Sequence, residues 1–499
     1  MRSRSLSRLK NIQTTVNDLV QYVEMAAHKT SPLATVASSD KDRPSLLPQL
    51  GLVSACAIVI SNMMGTGILT SSGFQAGDLG DPKILLLIWV VGAVCALAGA
   101  FCYSELGVNF PSSGGEYVYL SRAFGLTWGF LSGWISFVAG FSAPIAATSL
   151  ALSEYLSFFM PSLAGTPWLT LGSGSFSLQI GPPQALAVII IGLLAILNIL
   201  GVKNSGRVQT ALTATKIAVF TAFILLAFTI GQGDWGNFSQ TTERFHPEIP
   251  VGQQFFVSLM WIYVAYSGWN AATYVAEEIK QPGRTLPMAL AIGTAIVAAL
   301  YFLLNVVFIY SMPMSVMKGK LQVFTLSAER MFGHQAAGIF SAFVAFALLA
   351  SINAMVTIGP RVYYAMARNG AFLAAAGKIH PKYRTPVFAI VAQSILAILM
   401  SMTPFRDLMT YIGFTLNFFA TMAVASLFFL RGRPGWQKLP VVSFAYPLVP
   451  AFFVTVGLWM TYQGLTKEPK VSFAGIATVL IGATIYHFRR RNSAVPAES

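Results

Sequence analysis

The residues best placed to do chemistry in this sequence lie inside apolar runs. Ser61-Asn62-Met63-Met64-Gly65-Thr66-Gly67-Ile68 interrupts one run, and Val264-Ala265-Tyr266-Ser267-Gly268-Trp269-Asn270 interrupts another. An interior glycine costs a helix about 1 kcal/mol relative to alanine, so these are the points at which a helix opens most easily. An opened segment exposes N–H and C=O groups that lipid cannot satisfy, and it persists only where a ligand, water or other protein groups complete it. The N–H groups of Gly65, Thr66 and Gly67 would then face a carboxylate at the positive end of the following half-helix. The carbonyls of Met63, Val264, Ala265 and Ser267 would accept from an ammonium, with Tyr266 and Trp269 beside the second opening. A small zwitterion satisfies both sets without any charged side chain. A glycine pair in a membrane helix also serves as a close-packing face, and for either segment alone that reading competes.

Lys216 stands inside an apolar run, where a lysine costs roughly 2.5–3.5 kcal/mol at a helix centre. Two readings are open. Its flexible stem can reach back toward water, or its ammonium can be held inside and exchange a proton as helices rearrange. Glu105, Glu277 and Glu278 fall near the ends of apolar runs. They are either ordinary interfacial charges or half of a gate whose other half is Arg361 or Arg368, with Trp269 as a further gate candidate. No metal-ligand cluster, phosphate loop or nucleophile with a placed base is present in the sequence, so neither an enzyme nor a cofactor is expected.

These residues require a membrane to position them. Of 499 residues, 55% are hydrophobic and 10% charged, against about 25% charged in an average soluble domain. Runs long enough to span about 30 Å of hydrocarbon occur near 50–78, 84–108, 125–160, 184–201, 208–231, 253–279, 287–311, 337–367, 386–403, 407–430, 443–463 and 471–488. The expected fold is therefore an all-α membrane protein of twelve transmembrane helices. The interruptions fall in the first and sixth, a five-span period that fits an inverted repeat of the LeuT type, spans 1–5 against 6–10, with two helices appended. The expected organisation is a tail over 1–45, a transport core over 46–430, two further helices over 431–490 and a tail over 491–499.

Lys and Arg crowd the segments on one side of these spans and are sparse on the other, which predicts both termini in the cytoplasm. That topology accounts for the formal net charge of +14 and leaves nucleic-acid binding without support. No apolar run precedes residue 46, so no signal peptide is expected. The tail carries Ile12, Val16, Leu19, Val20 and Val23 at helical spacing, compatible with a short surface helix or a disordered segment. Cys56, Cys95 and Cys102 all fall within apolar runs, so no disulfide is predicted.

Several stretches resemble the amino acid–polyamine–organocation (APC) superfamily of transporters, in particular its L-type and related bacterial permeases. Gly65-Thr66-Gly67-Ile68 is similar to that family's substrate-carboxylate motif. Tyr103-Ser104-Glu105-Leu106-Gly107 and Phe110-Pro111-Ser112-Ser113-Gly114-Gly115-Glu116-Tyr117 resemble its most distinctive signature. Tyr266 to Asn270 with Glu277-Glu278-Ile279-Lys280 resembles the second break, and Arg361 to Gly370 with His380-Pro381 and Thr385-Pro386 resembles the loop after span 8. The resemblance covers about 48–430. It implies an amino-acid substrate, and it puts Lys216 where proton-coupled members carry a lysine in place of a sodium site. Val264 stands where many relatives have a bulky aromatic, and Asn369 replaces an acid common in that loop. Residues 161–183 lack the cysteine through which heteromeric L-type members hold a glycoprotein, so no disulfide-linked subunit is expected.

The resulting expectation is a secondary active amino-acid transporter in the cell membrane, working by alternating access. No acid lies beside either interruption, which favours neutral substrates, with protons as the coupling ion. Sodium-independent exchange, cationic amino-acid or polyamine transport, and a non-transporting amino-acid sensor are the alternatives.

Overall fold

The computed structural model describes residues 50–111, 114–172, 177–200, 205–368, 371–383, 385–443 and 445–493. The N-terminal tail with its possible surface helix, Ser112-Ser113, Asn369-Gly370 and residues 494–499 lie outside the described residues.

The chain is helical almost throughout. The first apolar run forms two helices end to end, α1 (Leu52–Met63) and α2 (Thr66–Leu79). Gly80, in the left-handed region at φ 72°, stops α2. Asp81 then caps α3 (Pro82–Asn109), accepting from the N–H of Lys83 at 2.7 Å with Pro82 in the first turn. After the short α4 (Glu116–Phe124), α5 (Leu126–Ile135) runs through a π-helical turn (Ser136–Ser142) into α6 (Ala143–Leu156). A hairpin of β1 (Leu169–Leu171) and β2 (Leu178–Ile180) precedes α7 (Pro182–Leu200) and α8 (Ser205–Thr229). Helix α9 (Val251–Tyr266) ends at the second interruption, and a 3₁₀ segment (Ala271–Glu278) continues it. There follow α10 (Pro282–Ser311), the short α11 (Met314–Met317) and α12 (Val323–Phe332), and α13 (His334–Arg368). The last are α14 (Val387–Met400), α15 (Phe405–Leu430), the short α16 (Pro440–Ser443), α17 (Leu448–Lys467) and α18 (Pro469–Ser493).

Among the described residues, ten helices are long and apolar enough to cross a membrane, counting α1–α2 and α5–α6 each as one. The expected sixth and ninth spans are not among the ten. The sixth is divided by Ser267 and Gly268, leaving 16 residues in α9, and α14 has only 14.

Side-chain burial follows the helical period. On α3, Leu85, Ile88, Trp89 and Ala96 turn inward, whereas Leu87, Val90 and Val94 are exposed. Exposed apolar residues also cover α7, including Ile189, Leu193, Ile196 and Leu200. A surface of this kind is stable facing lipid tails and unfavourable facing water. Helix α10 packs along both α1 and α3, and α13 packs along α6, so the interrupted helices lie inside the bundle.

Two contacts tie down the end of the bundle that carries Leu50. Leu50 donates to the Glu278 carbonyl at 2.8 Å and accepts from the N–H of Lys280 at 2.9 Å, joining the start of α1 to the end of the 3₁₀ segment. The chain after α15 folds over the end of α3. There the fully buried carboxylate of Glu105 accepts from Arg431 Nε and Trp436 Nε1, both at 2.8 Å, and from the Leu439 N–H at 3.1 Å. Asn109 and Gln437 add a reciprocal pair at 2.7 and 2.9 Å.

Truncating one member of a buried ion pair strands the other. Arg431→Ala is expected to lower stability by about 3–5 kcal/mol, read as a drop in the thermal aggregation midpoint of the detergent-purified protein. An unchanged midpoint would mean that this strap does not hold the fold.

Candidate functional site

The first interruption has a defined local geometry. Met64 lies at φ −74°, ψ 73°, an inverse γ-turn that lets the Gly65 N–H reach the Met63 carbonyl at 2.8 Å. Helix α2 then starts at Thr66 with no side chain capping it. The N–H groups of Thr66 and Gly67 belong to its first turn, where an α-helix has no internal acceptor to offer and its dipole favours negative charge.

The second interruption begins at Ser267, whose extended backbone (ψ 147°) ends α9. Gly268 follows at φ 98°, and a Cβ there would sit 2.7 Å from the Asn62 carbonyl carbon. At Gly67 a Cβ would lie 2.1 Å from Ala265 Cα. The two interrupted segments therefore cross in contact, through one glycine from each.

The structure also revises which backbone groups stand open. The Met63 carbonyl accepts from the Tyr301 hydroxyl at 2.5 Å as well as from Gly65, and the Val264 carbonyl accepts from the Ser267 N–H at 3.0 Å. Met63, Val264 and the Gly65 N–H thus already have internal partners, because a break within a membrane protein is stable only when its polar groups find them. Tyr266 packs against Trp89 and Tyr301 and donates to the Trp89 carbonyl at 3.1 Å. Trp269 is buried edge-on against Tyr103, with ring centroids 4.7 Å apart.

Lys216 reaches the first interruption. Its Nζ donates to the Met64 carbonyl at 3.2 Å and to Ser351 Oγ at 2.6 Å, and the residue is 4% exposed. The side chain does not snorkel toward a helix end. It ties α8 and α13 to the break.

A cavity of about 1210 Å³ runs from these crossings to the Leu50 end. Asn62, Tyr263, Ser267 and Trp269 line it beside the breaks, and its exposed lining residues are Arg361 and Lys382 together with Leu197, Leu200 and Phe346 on the apolar face. Beyond the breaks, an ion pair and an aromatic cluster join the helices. Arg406 donates to Asp78 Oδ1 at 3.3 Å and lies over the ring of Trp261, while Phe74 packs between Trp261 and Phe405 at 5.0 and 6.3 Å. Ser258 adds to the ion pair by donating to Asp78 Oδ2 at 3.4 Å.

Among the gate candidates, Glu105 is neither an interfacial charge nor a partner of Arg361 or Arg368. Glu105 pairs with Arg431 instead of Arg361 or Arg368, because its side chain turns into the bundle beneath the strap that follows α15. Arg368 is exposed and donates to the Tyr364 hydroxyl at 3.1 Å. Glu277 is exposed, and Glu278 is half-buried on the cavity wall.

The principal cavity group missed in the sequence is Glu116. Its Oε1 accepts from Asn270 Nδ2 at 2.7 Å and from the Tyr103 hydroxyl at 3.0 Å, and its Oε2 accepts from the Tyr274 hydroxyl at 2.5 Å. Burial pushes this carboxyl up from the ordinary range, and the Tyr274 and Tyr103 donors pull it back. Glu116 was visible only as part of a signature; nothing near it in sequence announces Asn270 or Tyr274.

Paired helix breaks that cross beside a large cavity, in a bundle of helices long and apolar enough to cross a bilayer, fit a multi-pass membrane transporter. Residues 50–485 match the family model described as amino acid permease. The chain is 30% identical over 470 residues to the large neutral amino acids transporter small subunit 2 of Mus musculus, covering 92% of this chain and 83% of that protein. It is 28% identical to the serine/threonine exchanger SteT of Bacillus subtilis, covering 90% and 98%. It is 26% identical to the b(0,+)-type amino acid transporter 1 of Mus musculus, covering 90% and 89%. The chain belongs to the amino acid permease family, within the superfamily its motifs resemble; it is a transporter and not an enzyme.

The two glycines of the first break should respond oppositely to a methyl group. At Gly65 a Cβ meets nothing within 4 Å, whereas at Gly67 it collides with Ala265. Gly65→Ala is expected to change stability by less than about 1 kcal/mol, and Gly67→Ala to cost about 1–3 kcal/mol. Thermal midpoints of the purified variants check this, and equal midpoints would rule out the close crossing.

Proposed function

We propose that this chain moves neutral amino acids across the cell membrane by alternating access, with the substrate held between the two helix breaks. The observation that carries this reading is that both breaks line one cavity, through Asn62 from the first and Ser267, Gly268 and Trp269 from the second. The substrate carboxylate would take the N–H groups of Thr66 and Gly67, joined by Gly65 once its turn to Met63 relaxes. The ammonium would take the carbonyls of Ala265 and Ser267, with Val264 joining if the adjacent turn opens. Tyr266 and Trp269 would back the site as aromatic supports.

In this reading the chain has twelve spans, with the interrupted stretch 251–278 as the sixth and α14 as the ninth. Spans 1–5 and 6–10 form the inverted repeat within 46–430, 431–490 supplies the two added helices, and 1–45 and 491–499 are cytoplasmic tails. The basic residues clustered at the Leu50 end support placing that end inside, which makes the cavity inward-facing. Glu278, Arg361 and Arg368 would meet when it closes. None of the three cysteines lies in a loop, so no disulfide-linked subunit is assigned.

Protons are the coupling ion in this proposal, with Lys216 as the coupling group. Its ammonium bridges the Met64 carbonyl and Ser351, so losing or gaining a proton there alters the hold on the break. The second reading is sodium-independent exchange, favoured by the similarity to a serine/threonine exchanger.

Uptake of a labelled amino-acid panel into liposomes holding the purified protein, with and without an inward proton gradient, tests both. Accumulation that requires the gradient and is lost in Lys216→Ala is the expected result. Gradient-independent uptake seen only with preloaded amino acid would establish exchange and leave Lys216 a structural role. Absence of uptake for every amino acid would overturn the proposal.

A further inference from the structure

Many glycines inside the membrane helices are there because a neighbour occupies the place of a side chain. A Cβ would fall within 3 Å of another residue at Gly92, Gly99, Gly133, Gly293 and Gly413. Gly140 differs. Its nearest atoms would be Ser136 Cβ at 3.6 Å, then the Ile135 carbonyl oxygen and Leu416 Cδ2, both at 3.8 Å, which is ordinary contact. Its φ is not among the positive ones, and the residues flanking the π turn have ordinary helical dihedrals. Packing and backbone geometry would both accept alanine, and helix propensity would prefer it.

What glycine leaves at this position is room in the cavity. Gly140 is half-buried and lines the same space as Tyr263 and Ser267. Its neighbour Leu416 accepts from the Tyr263 hydroxyl at 3.5 Å, and Tyr263 stands one helical turn before Ser267. The lining on the same helix and on α15 includes Ile135, Phe141 and Phe419, with Ser132 and Ser136 as the small polar members. The π turn is braced: Ser142 Oγ donates to the Phe137 carbonyl at 2.8 Å, and the Tyr363 hydroxyl donates to the Ser136 carbonyl at 3.3 Å. A widened turn fixed from two sides gives a wall that holds its shape, and π turns of this sort are frequent at functional sites.

We propose that Gly140 is a specificity-determining residue: the missing side chain admits the large apolar side chain of a leucine- or phenylalanine-sized substrate. This rests on the reading that the helix breaks hold the amino-acid head group. A residue larger than glycine at 140 narrows the space for the substrate side chain without touching the groups that bind its carboxylate and ammonium.

The test is uptake of labelled alanine, serine, leucine and phenylalanine into liposomes by the wild-type protein, Gly140→Ala and Gly140→Leu. Gly140→Leu is expected to lose about tenfold or more for leucine and phenylalanine while alanine and serine stay within about threefold. Gly140→Ala shows the same order with a smaller effect, and it carries the test should the leucine variant fail to fold. A parallel loss of all four substrates, no change in any, or wild-type uptake confined to alanine and serine overturns the size filter alone. Wild-type uptake of none of the four overturns the proposed function, and the filter with it.

Discussion

A bilayer offers no partner to a free peptide group, and the centre of this protein is organised around that constraint. Breaking two helices inside the bundle releases carbonyls and N–H groups that must be paired by the protein or by its ligand. At the first break the pairing comes from two other helices, one of them braced by a third. Tyr301 of α10 takes the Met63 carbonyl, and Lys216 of α8 takes the Met64 carbonyl while also donating to Ser351 of α13. The break is consequently clamped by side chains whose loss or movement would change its shape. Tyr155 adds a further clamp, donating to the Leu69 carbonyl at 2.7 Å one turn into α2.

The second consequence is mechanical. Because Gly67 meets Ala265 and Gly268 meets Asn62, the interrupted segments touch at two points on either side of the openings. The backbone bridge between Leu50 and Ile279 joins the same two segments again at the cavity mouth. Three points of attachment favour movement of α1, α2, α9 and the 3₁₀ segment as one body against the helices that line the rest of the cavity. At the other end, Asp78 and Arg406 link that body to α15. Asp78 is buried in that pair whereas the Arg406 side chain is 33% exposed, so the pair can separate from the Arg406 side.

The spans and the breaks were legible in the sequence because both depend on local composition. Long apolar runs have few alternatives to crossing a membrane, and Gly-Thr-Gly or Ser-Gly within such a run lowers helix stability wherever it falls. The depth of Lys216 was legible for the same reason, although its partners were not. Contacts between distant residues left no local trace. Glu105 finds Arg431 through a strap that returns from beyond α15, and Glu116 gathers Tyr103, Asn270 and Tyr274 from α3 and the second break. The π turn at Ser136–Ser142 is composed of the same small and apolar residues as its surroundings, so periodicity could not reveal it. The expected sixth and ninth spans were read as full-length from hydropathy, which does not register that Ser267 and Gly268 interrupt one helix or that the other runs only from Val387 to Met400.

The charges around the cavity bear on its substrate. A cationic side chain would require an acid with free acceptor capacity within reach of the breaks, since an unpaired ammonium in so apolar a space is costly. Glu116 is the acid nearest in structure to the second break, bonded directly to Asn270, and its two oxygens already accept from three donors. Drawing it toward a substrate would strip a buried carboxylate of hydrogen bonds that offset its burial. Glu278 lies at the mouth, where its backbone is tied to Leu50. On the proposed reading the breaks hold the two ends of an amino acid, and with Glu116 already engaged the environment beside them favours a substrate whose side chain carries no charge.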